Sequence, residues 1–331
     1  MRVLFVGGTG NISSACVELA LERGWQVSIA TRGLQPSPYG DRVDWKKGDR
    51  SEPAFLQGLA RQGRFDVVCE FIGFTPADIE TDLKAFSGQV GQYVFISSAT
   101  VYQKPPRHYL IREDAPLENP FWEYARQKIA CENLLMKAHR ESSFPVTIVR
   151  PSYTFGPTWI PAGVGGPGYT FVYRMRKGLP VISHGDGQSL WTMTFHTDFA
   201  QAFVGLFGAA SAVGEAFHIT SDEVLTWDQI YQTMGRAAGV EPAIIHLPSE
   251  VIARKRPEWG PSLMGDKRFS GVFDNSKIKR VVPGFQARVS FAEGIARSIA
   301  WHDADPTRRQ PNLEANRAMD ELVDLHRQLM G

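Results

Sequence analysis

Tyr124 and Lys128 stand four residues apart in Tyr-Ala-Arg-Gln-Lys, within a segment of strong helical character. On a helix that spacing puts both side chains on one face. An ammonium beside a phenol stabilises the phenolate and lowers its pKa, making tyrosine a usable general acid/base for a substrate hydroxyl. YxxxK alone arises often by chance, but a second group of residues points the same way. The stretch Phe95-Ile-Ser-Ser-Ala-Thr-Val-Tyr102 leaves the hydroxyls of Ser98 and Thr100 just beyond a strand-like run. Ligands of open α/β sheets bind outside the carboxyl ends of the strands, where such hydroxyls can hold a reacting oxygen and its developing charge. The plainer use of a Ser/Thr cluster there is turn chemistry.

A third feature lies at the N-terminus. The first strand-like run ends in Gly7-Gly-Thr-Gly10-Asn11-Ile12-Ser13, and a helical segment follows at once. A tight glycine turn lets backbone N–H groups and a helix N-terminus approach a pyrophosphate. Gly7 and Gly10 hold the first two positions of a GxxGxxG spacing, and Ser13, small enough for close helix packing, takes the third. An acidic residue about 20 positions on would bond a ribose diol, whereas an arginine would face a 2′-phosphate. Thr31-Arg32-Gly33 offers the arginine, which favours NADP over NAD as cofactor. Asp49 is a candidate acceptor for the adenine amino group, with capping of the helix near Pro53 as its rival role. Gly163–Gly168 also satisfies GxGxxG, but no strand precedes it and Pro167 interrupts it, so it reads as a turn or lid.

These residues need elements to position them. β-Branched and aromatic runs occur at Arg2–Val6, Gln26–Ala30, Val43–Lys47, Asp66–Glu70, Gln92–Ser97 and Pro145–Arg150. Helical segments lie between several of them: Asn11–Arg23 stops at Gly24, and Ser51-Glu52-Pro53 and Thr75-Pro76 have the composition of helix starts. Such alternation predicts an α/β fold, a Rossmann-type doubly wound parallel sheet, with a smaller, discontinuous C-terminal substrate-binding region. The expected division is 1–155 for the NAD(P)-binding domain, with about 190–220 returning to it, and 156–331 for substrate. Asn312–Met330 has amphipathic helix spacing suited to packing on the body.

Composition narrows the partners. The 331 residues carry 36 Lys+Arg and 35 Asp+Glu, a net charge of +1, with no run of about five or six like charges to favour nucleic acid or an anionic membrane. Hydrophobic residues make up 43% and charged ones 21%, as in a globular chain. Cys16, Cys69 and Cys131 lie far apart with no metal-ligand spacing, which reads as three reduced thiols and no metal. With no signal peptide and no apolar run near the roughly 20 residues that span a bilayer, a soluble, cytoplasmic protein is expected.

Taken together, Gly7–Ser13, Ser97–Tyr102, Tyr124–Lys128 and Arg150–Pro157, with a tail at Asp274–Lys277 and Phe291–Trp301, resemble the extended short-chain dehydrogenase/reductases. More narrowly they resemble the NAD-dependent epimerase/dehydratase group, which includes UDP-galactose 4-epimerase. The resemblance implies Tyr124 as acid/base, Lys128 on the nicotinamide ribose, Ser98 on the substrate oxygen, and a homodimer through helices around Thr75–Phe86 and Asn119–His139. The implied activity is NAD(P)-dependent oxidoreduction or epimerisation of a secondary alcohol or ketone on a small, sugar-like substrate. A ketoreductase acting on a non-nucleotide substrate is an alternative. So is a non-catalytic dinucleotide sensor or RNA-binding protein, because Thr31–Gly33 also resembles a branch with chloroplast RNA-binding relatives. Sugar-nucleotide members often carry Asn where Tyr153 stands and a diphosphate-binding arginine where Trp191 stands. Both residues are expected to meet substrate, with less anion recognition and more aromatic surface. The acidic pair of the 4,6-dehydratases follows neither Ser98 nor Thr100, so dehydration is not expected. His196 is read as structural.

Overall fold

A computed structural model describes residues 1–34 and 37–330. In chain order the elements that build the site are β1 (Arg2–Val6), α1 (Ser13–Glu22), β2 (Gln26–Thr31), β3 (Asp44–Lys47), α2 (Pro53–Arg61), β4 (Phe65–Glu70), α3 (Pro76–Phe86) and β5 (Val90–Ile96). There follow α4 (Glu123–Ser142), β6 (Val146–Pro151), α5 (His196–Gly205), β7 (Glu215–Ile219) and α6 (Leu313–Met330). The seven strands form one parallel sheet in the order β7-β6-β5-β4-β1-β2-β3. Strand order reverses between β1 and β4, and the crevice beyond their carboxyl ends is where such sheets take ligands.

Alternation along the strands explains the two layers of helices. Val3, Phe5, Ile29, Val67, Cys69, Val94 and Ile96 point to the face covered by α1 and α5. Leu4, Val6, Val68, Tyr93, Phe95 and Ile148 point to the other face, against α2, α3 and α4. Successive side chains point to opposite faces, so strands buried on both sides read as continuous apolar runs. The three cysteines are free and buried within these layers.

Local chemistry fixes several boundaries. Thr75 opens α3 with a reciprocal cap: its hydroxyl accepts the Asp78 N–H, and Asp78 Oδ2 accepts the Thr75 N–H at 2.9 Å. The start of α2 differs from the expected cap. Glu52 takes the capping position without a side-chain bond, and the Ser51 hydroxyl donates to Asp49 Oδ1 instead.

Beyond β6 a second core gathers Phe155, Phe171, Trp191, Trp227, Tyr231, Phe291 and Ile295. Helix α6 closes it with Met319, Leu322 and Val323. The Gly163–Gly168 segment is a loop, and its residues 163–167 line the cavity described below.

Candidate active site

A cavity of about 810 Å³ opens over the carboxyl ends of β1, β4 and β5 and reaches the C-terminal region. It is lined at one end by the Gly7–Ser13 turn and further along by Ser98, Thr100, Tyr124 and Lys128. Gly7 has φ +86°, and a Cβ there would fall 2.7 Å from Ile72. A Cβ on Gly10 would meet only Ser13 Oγ, at 3.4 Å, so the space above it belongs to the cavity. Ser13 Oγ accepts the Gly10 N–H at 2.9 Å and ties the turn to the first turn of α1. Among the described residues the backbone N–H groups of Asn11 and Ile12 find no acceptor, and the buried Asn11 Oδ1 has no donor. Unused donors at a helix N-terminus beside an open glycine suit a pyrophosphate, so the residues present fit a dinucleotide.

The hydroxyl pair after β5 is oriented. Ser98 Oγ accepts from Thr100 N–H at 3.2 Å and from the Thr100 hydroxyl at 3.0 Å. With its lone pairs engaged, Ser98 has its own proton free to donate. Thr100 therefore acts on Ser98, and its carbonyl is held by Asn119 Nδ2 at 2.9 Å.

Helix α4 brings Tyr124 and Lys128 to the same cavity. Lys128 is buried, and its Nζ donates to the Ile96 carbonyl at 2.7 Å and the Gly73 carbonyl at 2.8 Å. Burial lowers its pKa to about 8. The Tyr124 phenol, by contrast, is raised by burial to about 12, with the nearby Ser98 hydroxyl opposing the shift. The expected lysine-depressed phenol is not found. Lys128 Nζ lies 5.9 Å from the Tyr124 ring centroid and is turned to two carbonyls, so desolvation of the phenol prevails.

Behind Lys128 lies a buried ionic cluster that motif reading missed. Arg50 bonds both oxygens of Asp82 at 2.9 and 3.0 Å, pairs with Asp78, and sets Nε 3.4 Å from Glu70 Oε2. Those carboxylates hold the loop after β4: Glu70 Oε1 accepts the Ile72 N–H at 2.6 Å, and Asp78 Oδ2 accepts the Phe74 N–H at 2.9 Å. Gly73, whose carbonyl receives Lys128, sits between those two anchored residues. Burial, and then the nearby Asp82 carboxylate, raise Glu70 to about 8 against the opposing pull of Arg50. No local spacing reveals this cluster, because its members come from three separate places: the loop after β3, the end of β4, and α3.

The remaining predicted residues divide. Arg32 is exposed and, with Asp49, is not among the residues lining the cavity. Asp49 Oδ1 accepts both the N–H and the hydroxyl of Ser51, at 2.9 and 2.8 Å, rather than capping α2. The Tyr39 hydroxyl, not foreseen, donates to the Gly8 carbonyl at 2.7 Å and braces the glycine turn. Tyr153 and Trp191 do line the cavity, but as walls. The Tyr153 hydroxyl accepts the Ala162 N–H at 3.0 Å, and Trp191 Nε1 donates to the carbonyls of Lys267 and Phe269, both at 3.1 Å. His196 Nδ1 lies 3.2 Å from the Asn11 carbonyl, a contact within the protein. Trp122, Trp159, Trp259, Lys104, Asp266 and Lys267 complete the far end of the cavity. Among the described residues no three His, Cys, Asp or Glu side chains gather as a metal site, and no helix is long and apolar enough to cross a membrane.

Comparison with known proteins decides the family. The NAD dependent epimerase/dehydratase family model matches residues 3–220. The chain belongs to that family. This epimerase/dehydratase-family chain is thus an extended short-chain dehydrogenase/reductase with a Rossmann-type fold. It is 25% identical over 337 residues to the chloroplast stem-loop binding protein of 41 kDa b of Arabidopsis thaliana, covering 97% of this chain and 84% of the relative. It is also 25% identical to the 2′-dehydrokanamycin reductase of Streptomyces kanamyceticus, covering 87% and 81%. Its fold is similar to that of UDP-glucose 4-epimerase from Bifidobacterium longum in complex with NAD+ and UDP. There the TM-score is 0.74 at 20% identity, over 92% of this chain and 99% of the other.

Proposed function

We propose that this family member interconverts a secondary alcohol and a ketone on a small, sugar-like substrate with a nicotinamide dinucleotide. The observation that carries the reading is the meeting of Ser98, Tyr124 and Lys128 with the glycine turn in one cavity. Gly7, Gly10 and the free N–H groups of Asn11 and Ile12 would hold the pyrophosphate. Arg32 would face the 2′-phosphate of NADP, and Asp49 would serve the adenine through the oxygen that Ser51 leaves unused. Lys128 has three N–H donors, of which two are engaged, leaving one for the nicotinamide ribose.

A bound nicotinamide ring supplies hydride exchange with the substrate carbon. Ser98 Oγ donates to the substrate oxygen, its direction set by Thr100. Tyr124 Oη delivers the proton to that oxygen in reduction and removes it in oxidation. The tryptophan walls put apolar surface beside these polar contacts, which lowers the local dielectric and strengthens them.

Reduction of the keto form on its other face gives epimerisation, and its release gives a dehydrogenase or ketoreductase. Dinucleotide that stays with the protein through gel filtration supports the epimerase; obligatory turnover of added NADPH supports the reductase. A sensor or RNA-binding role is opposed by the complete Ser-Tyr-Lys set and by a net charge of only +1. The cofactor assignment is tested with Arg32→Ala, which is expected to cut the NADPH-to-NADH affinity ratio by about tenfold, within the range of one charge-assisted contact. An unchanged ratio removes the NADP assignment. The homodimer is proposed through α3 and α4, and light scattering reads it directly.

A further inference from the structure

The substrate end of the cavity is walled by Trp122, Tyr153, Trp159, Trp191 and Trp259. No arginine lines it among the described residues, and three lysines do: Lys104, Lys128 and Lys267. Two of these are committed. Lys128 is bonded to the carbonyls of Gly73 and Ile96, and Lys104 Nζ lies 3.4 Å from Asp266 Oδ1. The other nearby charges are also engaged: Arg268 pairs with Glu250 at 2.8 Å, and Glu258, at the cavity wall, lies 3.9 Å from Arg256.

Lys267 differs. Among the described residues its ammonium has no hydrogen bond and no ion pair, and Nζ stands 6.0 Å from the Tyr153 ring centroid. Its backbone, in contrast, is held firmly. It closes a π-helical turn over Leu263–Lys267, a geometry frequent at functional sites. Its carbonyl lies 2.8 Å from His184 Nε2 and accepts from Ser189 Oγ at 3.2 Å and Trp191 Nε1 at 3.1 Å. Asn119 Nδ2 binds the Gly265 carbonyl in the same turn at 2.7 Å. Desolvation holds the Lys267 ammonium below its ordinary pKa. The neighbouring Asp266 opposes that shift but is turned to Lys104, so the ammonium has no direct ion pair. A desolvated cation in an aromatic cavity is destabilising until an anion joins it.

We propose that Lys267 is the anion-recognising residue of the substrate end, and that the substrate carries one anionic group, a carboxylate or a single phosphate, on an apolar or planar body packed against the tryptophans. This rests on the reading of the cavity as a substrate site. One uncommitted cation and no arginine match one anionic group, whereas a diphosphate calls for several donors. Trp191, standing where sugar-nucleotide members often carry an arginine, has its only donor turned to the carbonyls that position Lys267.

Equilibrium dialysis of the full chain against 2-naphthoate, 2-naphthyl phosphate, neutral 2-naphthamide and UDP tests the proposal. One or both naphthyl anions are expected to bind at least about tenfold tighter than the amide, the scale of one charge-assisted contact, and UDP no tighter than the naphthyl phosphate. The ranking of the two anions tells carboxylate from phosphate. Lys267→Gln abolishes the preference and Lys267→Arg retains it. Lys267→Gln melts no lower than wild type, because it removes an unpaired cation; Lys267→Met is the second variant should Gln fail to fold. The proposal is overturned if the amide matches the anions, if Lys267→Gln keeps the preference, if UDP is much the tightest ligand, or if no probe binds. NADPH titration of the same proteins separates this from the functional reading. Anion preference without dinucleotide binding sinks that reading alone, and dinucleotide binding without anion preference sinks this proposal alone.

Discussion

At the scale of single residues, the site depends on which polar atoms are already occupied. Ser98 is a donor because Thr100 takes up its acceptor side, and Lys128 has one N–H left because two carbonyls take the others. The glycines separate in the same way. Gly7 is required by its own backbone, at φ +86° with Ile72 close by. Gly10 is required by what approaches it, since a Cβ there meets only Ser13 Oγ at 3.4 Å. Gly10→Ala is therefore expected to keep the melting temperature within a few degrees while weakening NADPH binding by about tenfold or more. Thermal unfolding and a fluorescence titration of one preparation check this. Equal loss of both properties would place Gly10 in the fold instead.

At the scale of elements, local pattern located the strands and stopped at their ends. β1 falls where its residues predict it, and β5 runs Val90–Ile96 rather than Gln92–Ser97. Strand ends are set by ladder bonds to β4 and β6, which hydrophobicity does not encode. Tyr124 and Lys128 were legible because a helix converts spacing into a shared face. Arg50 was not, because its partners Glu70, Asp78 and Asp82 meet it only once β4 and α3 are in place. The cluster makes a strong prediction. Arg50→Met leaves buried carboxylates without their cation and is expected to cost about 3–5 kcal/mol in urea unfolding. It also loosens the carboxylates that anchor Ile72 and Phe74, on either side of the Gly73 carbonyl that holds Lys128. A cost below about 1 kcal/mol would mean that the carboxylates are not held as ions by Arg50.

At the scale of the whole molecule, sequence spacing pointed to the residues of the glycine turn and of the Ser98–Tyr124–Lys128 group that line the cavity, whereas Arg32 and Asp49 fall outside it and most of its far end was not legible. Gly7–Ser13, Ser98 and Tyr124–Lys128 sit at fixed offsets from strands and helices of the sheet. Trp259, Asp266 and Lys267 reach the cavity from a segment well beyond β7, through short helical turns whose course no periodicity predicts. Long-range burial also shapes the response to pH. His184 and His218 are held near pKa 4, against 6.5 when unfolded, by burial, which outweighs the opposing bonds to the carbonyls of Lys267 and Asp274. The folded value is the lower one, so their contribution to stability is complete above 6.5 and is lost as pH falls toward about 4. Glu70, raised to about 8 from 4.5, runs the other way and loses its contribution as pH rises through that window. His218→Gln is expected to flatten the fall of the urea midpoint between pH 6.5 and about 4. An acid limb identical to wild type would contradict a buried, neutral His218.

The central claim is that Tyr124 moves a proton in a nicotinamide-dependent reaction within this cavity. The most direct measurement incubates wild type and Tyr124→Phe with NADPH deuterated at nicotinamide C4 and a panel of keto sugars and simple ketones, and reads deuterium in the products by mass spectrometry. Label is expected in at least one alcohol product with wild type. A loss of about 10²-fold or more is expected with Tyr124→Phe, whose NADPH affinity stays unchanged. Equal labelling by the two proteins would contradict the claim, as would a wild type that binds neither NADPH nor NADH.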